Sequence, residues 1–336
     1  MIPSERHERP LMDLGARIYV AGHRGLVGAA VVEVLRAQGY VNILYGAHAE
    51  MDFLDSRAVD DLLFAERPEF VFLTAERAGG IIANQTYPAT FIRENLAIGM
   101  NVIEASRKAG VRRLLLVGSS CVYPRLAPQP IPESCLMRGF LEPTSRPYAV
   151  AKIAAIEMCW NYNRQFGPRY LAVIPAKVYG PWDNFDLQTS HVLPALIRKA
   201  AEAKLRREPE LIVWGSGAPR REFIYSVDLA EACVFLMNLN EDRFAALTAP
   251  DEPPLINLGS GEEVTIRGLA QAIARVMGYQ GKLRFDLAKP DGAPRRLLDS
   301  QKMHELGWHH GTGLEEGILR TCQWYLRANE MEIPRG

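Results

Sequence analysis

The stretch RIYVAGHRGLVG (17–28) joins an apolar run to three glycines, Gly22, Gly25 and Gly28, and then to an apolar-periodic segment reaching about residue 38. Glycine is common enough for GxxGxxG spacing to arise without meaning. Here the motif follows a strand pattern and opens a helix pattern, which is the context a phosphate-binding turn requires. Gly22 permits the tight turn, Gly25 lets backbone approach a pyrophosphate, and Gly28 allows helix and strand to pack closely. The helix start adds unpaired N–H groups and a positive dipole end. Leu26, Val27 and Arg24 therefore join the three glycines as expected cofactor contacts.

Outward from this turn, strand-like runs recur at NILYG (42–46), FVFLTA (70–75), RLLLVGSS (113–120) and YLAVIP (170–175). They are rich in Val, Ile and Leu without alternation, and helix-length segments near 26–38, 56–66, 84–109 and 147–166 separate them. This predicts an α/β fold, a Rossmann-type doubly wound parallel sheet buried on both faces. After Pro175 shorter strands (211–215, 255–259, 282–286) mix with helices near 192–204, 227–239, 265–277 and 313–329. The expected organisation is a flexible leader over 1–15 and a dinucleotide-binding domain over 16–176. A smaller α/β C-terminal substrate lobe over 177–336 follows, with segments returning to the first domain.

The charge balance, 39 basic against 39 acidic residues, offers no basic field for nucleic acid or an anionic membrane. No apolar run approaches the roughly 20 residues of a membrane span, and the N-terminus lacks the apolar core of a signal peptide. Five scattered cysteines without metal spacing argue against a zinc site or a disulfide framework. A reducing cytoplasm is the expected location, with no metal.

The second strand shows no acid until Glu50, where NAD sites commonly place one for the ribose hydroxyls. Arg24 and His48 could instead face a 2′-phosphate, so NADPH/NADP is expected ahead of NAD, although a solvated Arg and His would look the same. Tyr148-Ala-Val-Ala-Lys152 opens a helix after Pro147, and i, i+4 spacing sets both side chains on one face. A phenol ordinarily titrates near 10, and a neighbouring ammonium with an oxidised nicotinamide would favour its ionised form. Ser119, in GSSC (118–121) at the carboxyl end of a strand, could hold a substrate carbonyl beside Tyr148. An exposed helical Tyr–Lys pair is the alternative, and the serine at a strand end weighs against it.

HRGLVG (23–28), GSSCVYP (118–124), EPTSRPYAVAK (142–152), YGPWDNF (179–185), SHVLPALIRK (190–199), VWGSGAPRREF (213–223) and KPDGAPRRLLD (289–299) together resemble the GDP-L-fucose synthase family of extended short-chain dehydrogenase/reductases. The resemblance implies NADPH-dependent 3,5-epimerisation and 4-reduction of a GDP-4-keto-6-deoxy sugar, by a homodimer. It implies Ser119, Tyr148 and Lys152 as the reductase triad, the last two also touching cofactor, with Cys121 as epimerisation base and His191 as acid. It further implies Lys177, Lys199, Trp214, Arg221 and Arg296 as GDP-sugar contacts in a mainly nucleotide-sugar-binding lobe. The chemistry is coherent: a 4-ketone acidifies both flanking carbons, and inversion needs one group to remove a proton and another to return it from the opposite face.

Departures from the family pattern lie at Lys177 for an Asn, Trp182 for a His, Glu76-Arg77 beside the third strand, and His48 for an Arg. A reductase or epimerase alone on a related nucleotide sugar, such as a GDP-6-deoxy-heptose, stays open, as does a non-catalytic nucleotide-binding regulator. Retention of Ser119, Tyr148 and Lys152 argues against the regulator, which has no need of a proton relay.

Overall fold

The computed structural model describes residues 11–44, 51–167, 169–289 and 291–331. Its central sheet gathers β1 (Ile18–Ala21), β2 (Ile43–Leu44), β3 (Phe70–Leu73), β4 (Arg113–Val117) and β5 (Arg169–Pro175). The chain then leaves through β6 (Lys177–Tyr179), β7 (Glu210–Trp214) and β8 (Arg220–Tyr225), and returns as β9 (Leu255–Leu258). All six central strands are parallel, in the order β2-β1-β3-β4-β5-β9. Residues of β1, β3 and β4 are buried throughout, because α1 (Leu26–Ala37), α2 (Ser56–Glu66), α3 (Ile81–Thr86), α4 (Pro88–Lys108) and α5 (Arg146–Phe166) flank the sheet. Strand order reverses between β1 and β3. Outside the carboxyl ends of the strands at such a switch point, open α/β sheets bind ligands.

The second core forms around β7 and β8 with α6 (Val192–Leu205), where Leu193, Ile197 and Val213 are buried. By contrast, α7 (Ser226–Met237) and α8 (Glu241–Leu247) join the first core. Arg113 explains the return: fully buried, it donates to the carbonyls of Met237 (3.0 Å) and Leu239 (2.6 Å). Its guanidinium also lies 3.9 Å from the Phe244 ring centroid. β10 (Glu263–Thr265), α9 (Ile266–Met277), β11 (Lys282–Asp286) and β12 (Arg295–Arg296) complete the smaller sheets, β11 on β7 and both β10 and β12 on β8. After α10 (Gln301–Glu305), α11 (Leu314–Ala328) closes the second core.

Three expectations need correction. The helix expected over 84–109 is two helices, α3 and α4, because Pro88 occupies the first turn of a new helix and cannot continue the old one. The leader is not loose at its end: Met12 is 1% exposed, and its amide donates to Asn238. The strand expected over 42–46 starts at Ile43 and is described as Ile43–Leu44; residues 45–46, with His48 and Glu50, lie outside the described residues.

Candidate active site

At the end of β1, Gly22 adopts φ +94, and a Cβ there would lie 2.5 Å from the Ala75 amide nitrogen. A Cβ at Gly28 would overlap the Gly22 carbonyl. These two glycines weld β1, β3 and α1 together. Gly25 differs: a Cβ there would meet only the Gly22 carbonyl, at 3.6 Å, so its outer side is open. Gly25 is also the N-cap of α1 and offers no side-chain acceptor to the first helical amides. Uncapped donors at a helix N-terminus, beside a glycine with room above it, fit the pyrophosphate of a dinucleotide. Leu26 and Val27 line the same opening and Arg24 stands exposed at its rim.

From this turn a cavity of about 1190 Å³ runs over the strand ends to the smaller sheets. It brings Ser119, Cys121, Tyr148, Lys177, His191, Lys199, Trp214, Arg221 and Arg296 to one wall system with the glycine turn. Lys152 is beneath rather than on that wall. It is 4% exposed and donates to the Val117 carbonyl at 2.9 Å.

The Tyr–Lys pair has a third member. The Tyr148 hydroxyl donates to Glu76 Oε2 at 2.7 Å, and Lys152 Nζ lies 2.6 Å from the same oxygen. Burial, and then the Glu76 carboxylate, push the phenol well above its ordinary range. The direction is opposite to that expected from Lys152 alone, because burial first, and then the Glu76 carboxylate that accepts the phenolic proton, disfavour the phenolate. Arg77 turns outward, pairing with Glu94 at 3.2 Å. The Glu76-Arg77 departure thus splits into one inward and one outward charge.

Ser119 precedes a 3₁₀ turn (Ser120–Val122), and its Oγ accepts from the Cys121 amide at 3.4 Å while also engaging Tyr148. It therefore stands between the two candidate proton-transfer groups. Burial pushes the Cys121 thiol up, but the Lys177 ammonium, hydrogen bonds from Ser119 and Ser145, and Arg296 together bring it below its ordinary value. Lys177 acts on His191 as well. Its charge first, and burial second, push the imidazole down to about 3, so His191 is neutral near pH 7. An imidazole ordinarily titrates near 6.5, and this one departs from that chiefly because the residue at 177 is a cation and not an amide. Nor does Lys177 pair with Glu76, whose partners are Lys152 and Tyr148.

Asp183 was not anticipated, although it sits inside YGPWDNF. Burial pushes its carboxyl up to about 7, and its Oδ2 has no hydrogen-bond partner. Nearby, Trp182 is 54% exposed at φ +67, with its ring 5.2 Å from that of Trp324. Further along the cavity, Trp214 lies between two ammonium groups, Lys199 at 4.5 Å and Lys289 at 5.1 Å from its ring centroid. That arrangement offers an aromatic face and positive charge to a base and a phosphate. Burial and then Arg296 lower Arg221 to about 10. Arg296 itself donates to the Tyr123 carbonyl at 3.2 Å, holding the loop that carries Cys121.

Residues 18–246 match the NAD dependent epimerase/dehydratase family. The chain is 48% identical to GDP-L-fucose synthase of Escherichia coli (strain K12) over 94% of its own length and 98% of that protein. Among solved structures it is similar to a GDP-6-OMe-4-keto-L-xylo-heptose reductase from C. jejuni, with TM-score 0.87 and 34% identity over 95% of this chain and 99% of that one. It is also similar to a GDP-L-fucose synthetase from Naegleria fowleri bound to NADP, with TM-score 0.86 and 27% identity over 96% of each chain. With 48% identity over 94% of its length to a GDP-L-fucose synthase, the chain belongs to the NAD dependent epimerase/dehydratase family, in its GDP-L-fucose synthase branch.

Proposed function

We propose that this chain is an NADP(H)-dependent epimerase/reductase acting on a GDP-4-keto-6-deoxy sugar. The observation that carries the reading is one cavity joining the open glycine turn, Tyr148 with Lys152 beneath it, Cys121 with His191, and the Trp214 platform. The dinucleotide, when bound, supplies a hydride. Gly25 and the start of α1 hold its phosphates, and Arg24 meets a 2′-phosphate. Lys199, Trp214 and Arg221 grip the GDP portion, which leaves the sugar ring over Ser119. Tyr148 gives its phenolic proton to the carbonyl oxygen as the carbon is reduced, and Lys152 stabilises the phenolate left behind.

Before reduction, Cys121 as thiolate removes a proton from a carbon flanking the ketone, leaving an enolate. Return of a proton from the opposite face inverts the centre, the role assigned to His191. For that, His191 must first gain a proton against the charge of Lys177. This cost favours a second reading, reduction without epimerisation on a related GDP-sugar. Incubation with NADPH and a panel of GDP-4-keto sugars in deuterated water separates the two. Epimerisation is expected to place deuterium at carbons 3 and 5, and Cys121→Ser or His191→Asn to suppress it. Reduction with no deuterium in the wild type would establish the second reading, and consumption of no sugar in the panel would remove both.

The division of labour follows: residues 16–176 for the dinucleotide, the smaller lobe mainly for the nucleotide sugar. A homodimer is supported by exposed Leu96 and Met100 on α4 and Val150 on α5, two helices that pack side by side. A cytoplasmic location is supported by five free thiols. Among the described residues no helix is long and apolar enough to cross a membrane.

A further inference from the structure

The shared carboxylate of Glu76 has a consequence for cofactor entry. One oxygen accepts from Tyr148 at 2.7 Å and lies 2.6 Å from Lys152 Nζ, whose bond to the Val117 carbonyl occupies another of its three protons. The phenol has a single proton, and in this arrangement it points at Glu76. It cannot at the same time point at a substrate carbonyl. The ammonium, meanwhile, is neutralised by a carboxylate in contact with it.

Glu76 follows Ala75, the residue against which Gly22 packs, so it stands directly beyond the phosphate-binding turn. A dinucleotide anchored at Gly25, with its reactive end close enough to Tyr148 for hydride and proton to reach one carbonyl group, has to pass this carboxylate. Glu76 has room to withdraw, because its side chain is 24% exposed while that of Lys152 is 5% exposed.

We propose that Glu76 is a positioning residue of the reduction, a latch that holds Tyr148 and Lys152 on itself and yields them when the cofactor enters. The inference rests on the reading of NADPH as cofactor. It implies that cofactor binding opposes two charge-assisted hydrogen bonds, and that Tyr148 is competent only in the cofactor complex. The groups facing the phenol are Glu76, Lys152, Cys121 and Ser119, so the removal of one negative charge has a readable effect on its ionisation.

The test uses Glu76→Gln and Glu76→Ala in the full chain, with melting temperature confirming the fold. Direct titration with NADPH is expected to give a dissociation constant about tenfold lower in both variants, since bonds to charged groups are the strong ones. In the cofactor-free protein, ultraviolet titration is expected to show a tyrosinate forming at lower pH in Glu76→Gln than in wild type, and to lose that component when Tyr148→Phe is added. Unchanged or weaker NADPH binding in folded variants overturns the latch. Failure of wild type to bind any nicotinamide dinucleotide overturns the cofactor reading and the latch with it.

Discussion

The Lys177 ammonium keeps the His191 imidazole neutral, its pKa pushed down to about 3, while drawing the Cys121 thiol below its ordinary value. One cation thus acts in opposite senses on the two groups assigned to epimerisation: it promotes a charged sulfur and forbids a charged imidazole.

Lys177→Asn is therefore expected to move the His191 titration midpoint upward toward 6.5, followed by nuclear magnetic resonance of histidine-labelled protein. Alkylation of Cys121 near pH 7, read by mass spectrometry, should slow by about threefold to tenfold as the thiolate fraction falls. The other four cysteines are buried and serve as an internal reference. A histidine midpoint that stays near 3 would show that burial alone sets it.

Tyr148→Phe removes the phenolic proton proposed to reach the carbonyl oxygen but keeps the ring that packs with Ala83 and Phe91. Turnover is expected to fall by about 10²- to 10⁴-fold, with the fold intact. Turnover close to wild type would exclude Tyr148 as the acid.

Arg24 stands exposed at the rim of the glycine turn. Arg24→Ala is expected to weaken NADPH by about tenfold or more while leaving NADH nearly unaffected, as loss of a charge-assisted bond to a 2′-phosphate predicts. Equal weakening of both, measured by direct titration, would mean that Arg24 does not read the phosphate.

Asp183 bears on stability. Its carboxyl is pushed up to about 7 from an ordinary 3.8. Between these values the folded protein holds more protons than the unfolded chain, so stability falls as pH rises through the window. Asp183→Asn abolishes that slope. Relative to wild type, the variant is expected to gain about 3–4 kcal/mol on passing from pH 4 to pH 8, since each unit by which the carboxyl's pKa is displaced is worth about 1.4 kcal/mol. Parallel melting curves for the two proteins across this range would contradict the assignment.

Much of this architecture was legible in the chain itself. Strand runs without alternation announced a sheet covered on both faces, and of three glycines at spacing three, Gly22 and Gly28 marked where backbone must pass close to backbone while Gly25 marked an open approach. Tyr148 and Lys152 were readable as neighbours because helical spacing brings them together. Glu76 was visible as an extra charge, but its engagement of both was not, since its partner Tyr148 is 72 residues away in sequence. The neutrality of His191 was hidden for a related reason: it depends first on how close the fold brings Lys177 of β6 to the start of α6, and only second on burial. The break at Pro88 was written in the sequence, and an uninterrupted apolar period masked it.

The return of β9 beside β5 gives the sheet its last inter-strand pairing, Ala172–Pro175 against Leu255–Leu258. A fragment ending near residue 176 would bare that flank of β5, a row of backbone donors and acceptors on a strand whose side chains are almost wholly apolar. Such an unpaired edge is a template for further strands, so the fragment would aggregate. The central sheet is consequently completed only after more than 80 further residues have been added, and a ribosome-bound chain halted before β9 is a natural client for chaperones.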